Sequence, residues 1–297
     1  ALQGTLEAHK HKITCISVGE EIIVAGSEDA TVSVWNTLSG IGVKTKTLKG
    51  HSNSVEGVDL SQDGNFVISC SRDYTLRLWD LSSDCDPSIF VDHQSEVLDC
   101  TFSQESRQII SCSRDQSVKL WNVLGECKQT FGKEEFGFPV CIALVPSYIP
   151  KLVICGWENV AKVWDFEKQS ITRTITMDGK INCGTVSPDG SLLAAGCDEG
   201  TAPLWDLAEG NHLYSLEASS TINHLEFNPS RYWLCAATDD GIVIWDLEEK
   251  KAIIEQPCPP AIRGDKILCT TLKFSACGNT LYTGYSDGTI KVWKVQP

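Results

Sequence analysis

Seven tryptophans recur along the chain at a nearly constant spacing. Each follows a Leu, Val or Ile, and the successive intervals are 44, 42, 43, 41, 40 and 48 residues. An acidic residue stands six positions before every one of them. The tryptophans are Trp35, Trp79, Trp121, Trp164, Trp205, Trp245 and Trp293, and the acids are Asp29, Asp73, Asp115, Glu158, Glu199, Asp239 and Asp287. A fixed period of this length indicates repeated structural units that pack on their neighbours.

Each unit carries the pattern of β-strands joined by turns. Apolar and polar residues alternate between acid and tryptophan, as in 75–79 and 289–293, which is typical of a strand with one buried face. Asp-Gly turns at 63–64 and 189–190 separate two further apolar runs, as in a hairpin. A repeat of roughly 40–45 residues is the length of a four-stranded propeller blade. We therefore predict an all-β, seven-bladed β-propeller with four antiparallel strands per blade, in one domain spanning residues 1–297.

Closure of such a ring needs a fourth strand for the last blade. The segment 4–6 is expected to supply it as the outer strand of the seventh blade, because a closed ring leaves no long unpaired edge. The longest interval, between Trp245 and Trp293, contains the proline-rich stretch 255–260. Since proline cannot pair within a central strand, this stretch is expected to project as a loop.

Three units open with a histidine, His9, His51 and His93, and the last two stand 22 residues before their acids. With the seven units in register, this resembles the WD-repeat family over essentially the whole chain. In that family a histidine, a serine or threonine, the turn aspartate and the tryptophan form a hydrogen-bonded set within a blade. The matching sets are His51, Ser69, Asp73 and Trp79, and His93, Ser111, Asp115 and Trp121. The first blade has Ala25 in place of the serine, and the later blades lack the histidine.

These sets also contain Ser, His and Asp, the residues of a catalytic triad. A triad needs one site with an oxyanion hole, whereas here the set occurs twice in register. No phosphate loop, metal cluster or activated nucleophile accompanies it. We therefore expect a structural role, no catalytic residue, and no cofactor or metal.

Composition limits the partners. The chain carries 25 basic and 39 acidic residues, a net charge of -14, so any RNA contact must come from a local patch, and DNA binding is not expected.

The fourteen cysteines form no C-x-x-C pair, and Cys70, Cys112, Cys155 and Cys197 recur at intervals of 42, 43 and 42 residues, which favours buried thiols. With no run of 18 apolar residues, we expect no membrane span and a cytoplasmic location.

Particular stretches narrow the resemblance. Residues 71–81 and 227–238, the latter with Arg-Tyr-Trp at 231–233, are similar to the receptors for activated C kinase, a WD-repeat family. This resemblance implies a non-catalytic scaffold that binds proteins and rRNA of the small ribosomal subunit. It also implies binding of protein kinase C and other signalling proteins, which links signalling to translation.

The same resemblance implies specific contact residues. Family members bind the ribosome through a basic pair in the first blade's inner turn, which is the turn that holds the acid six residues before the tryptophan. Here that turn is Glu28-Asp29-Ala30. Five other basic residues are expected on the same face of blades one to three: Lys10, Lys12, Lys49, Arg72 and Arg114. The family's phosphorylated tyrosines match Tyr214 and Tyr232, and its kinase-binding region matches 242–248.

Other functions remain open on the sequence alone. The main alternative is a free cytosolic adaptor, in a ligase or signalling complex, that does not bind the ribosome. A ligase substrate receptor would usually carry Trp-Asp-x-Arg at a blade end, which none of the seven units has. A G-protein β subunit is expected to carry an N-terminal coiled-coil helix, and the residues before His9 contain none.

Overall fold

Seven four-stranded antiparallel sheets make up the computed structural model, which describes residues 1–38, 40–146, 151–260 and 265–295. Each inner strand contacts the inner strands of the two neighbouring blades, and the seventh blade contacts the first. The sheets therefore form a closed ring around a central channel. The predicted seven-bladed propeller is confirmed.

The strands follow the repeat closely, with the inner strand of each blade named first. Blade one contains β2 (Ile13–Val18), β3 (Ile22–Ser27), β4 (Thr31–Asn36) and β5 (Val43–Lys49); blade two contains β6 (Val55–Leu60), β7 (Phe66–Ser71), β8 (Thr75–Asp80) and β9 (Ser88–Val91); blade three contains β10 (Val97–Phe102), β11 (Gln108–Ser113), β12 (Ser117–Asn122) and β13 (Cys127–Phe131). A single helical turn, α1 (Lys133–Phe136), precedes blade four, which contains β14 (Pro139–Val145), β15 (Lys151–Gly156), β16 (Val160–Asp165) and β17 (Ser170–Thr176). Blade five contains β18 (Ile181–Val186), β19 (Leu192–Cys197), β20 (Thr201–Asp206) and β21 (His212–Glu217); blade six contains β22 (Ile222–Phe227), β23 (Trp233–Thr238), β24 (Gly241–Asp246) and β25 (Lys251–Pro257); blade seven contains β26 (Cys269–Phe274), β27 (Thr280–Tyr285), β28 (Thr289–Lys294) and β1 (Leu2–Glu7).

The ring is closed by β1, which is the outer strand of the seventh blade. It pairs antiparallel with β28, and Leu6 lies opposite Ile290 in the register. Leu6 is buried together with Ile290 of the seventh blade and Trp35 of the first. The last blade is therefore built from two segments at opposite ends of the described chain, 2–7 and 269–294, as predicted for the segment 4–6.

The hydrophobic core lies between blades rather than in one central cluster. Trp79 of the second blade packs against Val24 and Val32 of the first, and Trp121 of the third packs against Ile68 of the second. The motif tryptophan thus covers the face of the preceding blade. Because each sheet is apolar on both faces, a single blade cannot bury its own core, and the blades stabilise one another.

The expectation that 255–260 forms a loop between blades six and seven was wrong for its first half. Residues 255–257 end β25, where Pro257 lies opposite Gly241, whereas 258–260 lie outside any strand. Every residue of β25 is exposed. An outer strand is hydrogen-bonded on one edge only. It therefore tolerates proline, which has no backbone N–H to donate.

All fourteen cysteines are free thiols. The four that recur with the repeat, Cys70, Cys112, Cys155 and Cys197, are buried, as predicted. Among the described residues, no helix is long and apolar enough to cross a membrane.

Ring closure through β1 is tested by comparing two leucines of the same strand. Leu6 is buried, whereas Leu2 is exposed. We expect Leu6→Ala to lower the free energy of unfolding by roughly 2–5 kcal/mol, because it removes a buried side chain at the closing contact. Leu2→Ala should change it by less than about 0.5 kcal/mol.

Deletion of residues 1–8 should lower the melting temperature markedly in calorimetry, and an unchanged melting curve would contradict closure by β1.

Candidate functional site

The loops and turns of each blade meet at one end of its strands. In blade one, Ile13 pairs with Ser27 and Thr31 pairs with Lys49. The start of the inner strand, the turn between the second and third strands, and the end of the outer strand therefore lie together. We call this side of the ring the upper face and the opposite side the lower face.

In blade two the expected set forms a continuous hydrogen-bonded chain below the upper face. Trp79 Nε1 donates to Ser69 Oγ at 2.8 Å, and Ser69 Oγ lies 2.8 Å from His51 Nε2. His51 Nδ1 lies 2.8 Å from a carboxylate oxygen of Asp73. Since the serine accepts from the indole, its own hydroxyl hydrogen is free to point at the imidazole, whose other nitrogen donates to the aspartate.

Blade three repeats the arrangement. His93 lies 2.8 Å from both Asp115 and Ser111, and Trp121 Nε1 donates to Ser111 Oγ at 2.9 Å. Burial alone would raise the pKa of Asp73, but hydrogen bonds from His51 and Thr75 outweigh it and hold that pKa well below its usual value. The hydroxyls of Ser69 and Ser111 are fully buried, so no substrate can reach them. The sets fasten the loop before each blade to that blade's inner turn.

Blade one keeps half of this arrangement. His9 Nδ1 lies 2.9 Å from Asp29, while His9 Nε2 lies 3.1 Å from the carbonyl oxygen of Ala25. Trp35 Nε1 donates instead to Ser33 Oγ, two residues away on the same strand, at 3.0 Å. Ser33 therefore compensates for the missing hydroxyl at position 25, a substitution that the repeat spacing does not reveal.

Later blades use other solutions. In blade seven Trp293 Nε1 donates to Thr283 Oγ1 at 2.8 Å, so a threonine takes the place of the serine. In blade five the equivalent residue is Ala195, and Trp205 Nε1 is buried without a hydrogen-bond partner among the residues that the structure describes. The repeat is thus most strongly hydrogen-bonded in blades two and three.

The set in blade two predicts a specific loss of stability. Ser69→Ala would leave both Trp79 Nε1 and His51 Nε2 buried without partners, so the free energy of unfolding should fall by about 1–3 kcal/mol. Ser82 makes a hydroxyl bond at the surface, to Asp80 at 2.6 Å, and serves as the matched control. Ser82→Ala should change the free energy by less than about 0.5 kcal/mol in urea titration. Equal effects of the two substitutions would argue against the hydrogen-bonded chain.

Basic residues form two groups on the upper face. Lys12, Arg72 and Arg114 line the central channel, which encloses about 790 Å³. Lys10 and Lys49 are exposed on the upper face but do not line the channel. The five predicted contact residues therefore share one face, and three of them meet at the channel mouth.

Both arginines at the mouth are paired with glutamates. Arg72 Nε bonds to Glu56 at 2.8 Å, and Arg114 Nη1 bonds to Glu96 at 2.5 Å. Each arginine uses one nitrogen in its pair, which leaves further N–H donors directed elsewhere. The three lysines at positions 10, 12 and 49 make no ion pair with any described residue.

Polar bonds across the channel wall connect the inner strands of blades one to four. Asp59 accepts from Ser17 Oγ at 3.1 Å and from Thr101 Oγ1 at 2.9 Å, which joins blades one, two and three. Asp99 accepts from the backbone N–H of Ile142 in blade four at 2.9 Å. Burial raises the pKa of Asp99 to about 7. These bonds fix the relative positions of the blades that carry the basic residues.

The inner turn of blade one lacks the basic pair that the resemblance implies. Glu28 is exposed there, so it places a negative charge on the upper face. Asp29 is bound by His9 and by Thr31, while Ala30 adopts a φ of 65° in the left-handed region. The turn therefore keeps the left-handed backbone seen at Tyr74 and Gln116 in the next two blades, but without a basic residue.

The two candidate tyrosines differ in accessibility. Tyr214 is half-buried on β21, its hydroxyl donates to the carbonyl oxygen of Leu247 at 3.1 Å, and the Lys250 ammonium lies 4.5 Å from its ring centroid. Tyr232 is 49% exposed, and its hydroxyl has no partner among the described residues. Phosphorylation of Tyr214 would first have to break a hydrogen bond, whereas Tyr232 is open.

The stretch 242–248, expected to bind a kinase, lies mostly in β24. Ile242, Trp245 and Leu247 are buried, and only Glu248 at its end is exposed. These apolar side chains stabilise blade six and cannot contact a partner in the folded protein. Any contact in this region must use the exposed turn after the strand.

Comparison with known families identifies the chain. The model of the WD domain, G-beta repeat, matches residues 1–36, 42–80, 86–122, 170–206, 210–246 and 261–294, which is more than half of the sequence. The chain belongs to the WD-repeat family. The stretch 123–169 lies between two matched ranges, yet it supplies the three inner strands of blade four, β14, β15 and β16.

Two WD-repeat relatives align with almost the whole chain. The small ribosomal subunit protein RACK1y of Oryza sativa subsp. japonica is 40% identical over 320 residues, which cover 99% of this chain and 95% of the relative. The cross-pathway control WD-repeat protein 2 of Flammulina velutipes is 42% identical over 304 residues, covering 98% and 96%. The similarity extends through all seven blades, and the narrower resemblance seen in the sequence is confirmed.

Proposed function

We propose that this protein is a non-catalytic cytoplasmic scaffold, folded as one domain over residues 1–297, that binds the small ribosomal subunit and signalling proteins. The main support is its full-length similarity to a small ribosomal subunit protein of rice. A scaffold needs a rigid ring with several separate surfaces, and a propeller of seven hydrogen-bonded blades provides them. Binding of protein kinase C is part of the proposal and would link signalling to translation.

The ribosomal contact would lie on the upper face of blades one to three. With respect to the described residues, Lys10, Lys12 and Lys49 make no ion pair, and the two arginines retain further N–H donors beside their glutamates. Because the protein as a whole is acidic, such a local patch would orient it on RNA with this face inward. Phosphate contacts of this kind weaken steeply as salt concentration rises.

The charge of the blade-one turn would shift the contact toward blades two and three. Glu28 repels phosphate, and Ala30 contributes no charge, so blade one would rely on Lys10 and Lys12. Arg72 and Arg114 occupy the corresponding turns of the next two blades. The proposed contact is therefore displaced along the ring relative to the family pattern.

Signalling partners would use the lower face. Tyr232 lies in the turn between β22 and β23, away from the basic patch, so a partner that binds there would not compete with RNA. A phosphate on Tyr232 would add nearly two negative charges to an exposed turn and could be bound by an arginine of the partner. Tyr214, whose hydroxyl is already bonded, is the weaker candidate.

Charge reversal tests the ribosomal contact. The variant with Lys49→Glu, Arg72→Glu and Arg114→Glu should bind small ribosomal subunits at least about tenfold more weakly, because it removes three phosphate contacts. The readout is co-sedimentation in sucrose gradients at two salt concentrations, with calorimetry to show that the variant is folded.

A matched control changes three lysines away from the upper face by the same total charge. Lys128 and Lys251 are paired with Glu126 and Glu249, like the two arginines, and Lys168, like Lys49, makes no ion pair within the described part of the chain. The variant with Lys128→Glu, Lys168→Glu and Lys251→Glu should co-sediment like the wild type. Unchanged co-sedimentation of the first variant would remove the patch, and a wild type that never co-sediments would favour a free adaptor.

The altered turn of blade one permits a gain-of-function test. Glu28→Arg combined with Ala30→Lys restores the family's basic pair without changing the Asp29 bonds. Two added phosphate contacts should raise ribosome affinity by about tenfold or more and make its salt dependence steeper. Glu20 and Glu21 lie on the opposite side of the same blade, so Glu20→Arg with Glu21→Gln, which changes the net charge by the same amount, is the control. Equal gains from both pairs would indicate an effect of net charge alone.

A further inference from the structure

Trp157 is an exposed tryptophan at the channel mouth. It lies in the turn between β15 and β16, at the position that Arg72 and Arg114 hold in their own blades, and 42% of its surface is exposed. It lines the same channel as Lys12, Arg72 and Arg114. The core position of this blade is already filled by Trp164, so the exposed indole of Trp157 has no role in the core.

Neighbouring groups hold this indole in place. The Arg114 guanidinium lies 5.1 Å from the ring centroid and is itself bound by Glu96. The backbone N–H of Trp157 donates to the carbonyl oxygen of Phe138 at 3.0 Å, which fixes the turn. The ring is therefore ordered before any ligand arrives, so binding costs little additional side-chain entropy.

The combination of groups favours one class of ligand. Unpaired bases of RNA stack on aromatic rings and on arginine planes, and their phosphates bind nearby cations. A regular RNA duplex would offer phosphates but no exposed base face. The channel mouth presents both an aromatic face and cationic side chains within one site.

We propose that Trp157 and Arg114 form a stacking site for an unpaired base of single-stranded RNA, with Arg72 and Lys12 binding the adjacent phosphates. This inference rests on the proposed ribosomal function and specifies the kind of RNA that the upper face binds. The stack contributes affinity without charge, whereas the lysines and arginines contribute the salt-dependent part.

Fluorescence anisotropy with a labelled 12-nucleotide oligoadenylate, and with the same strand in a duplex, tests the stack. Stacking of one base predicts that Trp157→Ala weakens single-strand binding by roughly 5- to 100-fold. Trp157→Phe should recover part of the loss. The slope of affinity against salt should stay that of the wild type in Trp157→Ala but become shallower in Arg72→Gln, which removes a charge.

Phe66 provides the control, because it is an exposed aromatic residue at the lower end of β7. Phe66→Ala should bind both RNAs like the wild type. Equal binding by Trp157→Ala and the wild type, equal losses for strand and duplex, or absence of single-strand binding by the wild type would each overturn the stacking site.

Ribosome co-sedimentation of the same proteins separates this inference from the proposed function. If the wild type co-sediments with small subunits while Trp157→Ala retains full affinity for the oligonucleotide, the ribosomal contact stands and the stack is wrong. If Trp157→Ala loses ribosome binding but not oligonucleotide binding, the indole contacts a ribosomal protein, which also overturns the RNA assignment.

Discussion

The whole structure depends on packing between blades. Each sheet has two apolar faces, and the motif tryptophan of one blade covers a face of the preceding blade, as Trp79 does on Val24 and Val32. Stability is therefore shared around the ring, and no blade is an independent unit. This constraint explains why the sequence can vary so freely at individual hydrogen bonds. Blades one, five and seven solve the same problem as blades two and three with fewer or different polar groups.

The polar groups have a different role, which is to set the height and direction of the upper turns. In blades two and three the chain from Trp79 or Trp121 to the turn aspartate runs through buried atoms, so each turn is fixed from below. Arg72 and Arg114 are carried by these two turns. Strong internal bonding and candidate binding residues thus coincide in the same blades, and a surface that must present cations in a fixed row benefits from rigid support.

Much of the fold could be predicted from sequence because its signal is local and repeated. The spacing of the tryptophans indicates the length of a blade, and their number indicates seven blades. The period-two pattern predicts strands with one buried face. The outer strands were less predictable, since β25 is exposed along its whole length and has no apolar alternation. The prolines near 255–260 predicted a loop because proline cannot pair within a central strand. An outer strand pairs on one side only, however, and accommodates Pro257.

The candidate site was predictable only in part. Placing the five basic residues on one face followed from the repeat, but their pairing with Glu56 and Glu96 did not, because it depends on side-chain directions at the channel mouth. The role of Trp157 is not evident from the sequence, because a tryptophan in a strand-rich sequence usually belongs to the core. The position it shares with Arg72 and Arg114 was the available signal.

The pairing of β1 with β28 also determines when the molecule can become complete. During synthesis the first strand is made early but has no partner until the final blade emerges, so it must wait for nearly the whole chain. This contact joins strands that are separated by nearly all of the described residues, which makes closure a late step in folding. A chain interrupted before the last blade would expose an unpaired strand edge and the apolar face around Leu6, both of which promote aggregation. The closing strand thus allows a complete ring to form only after the last blade has been synthesised.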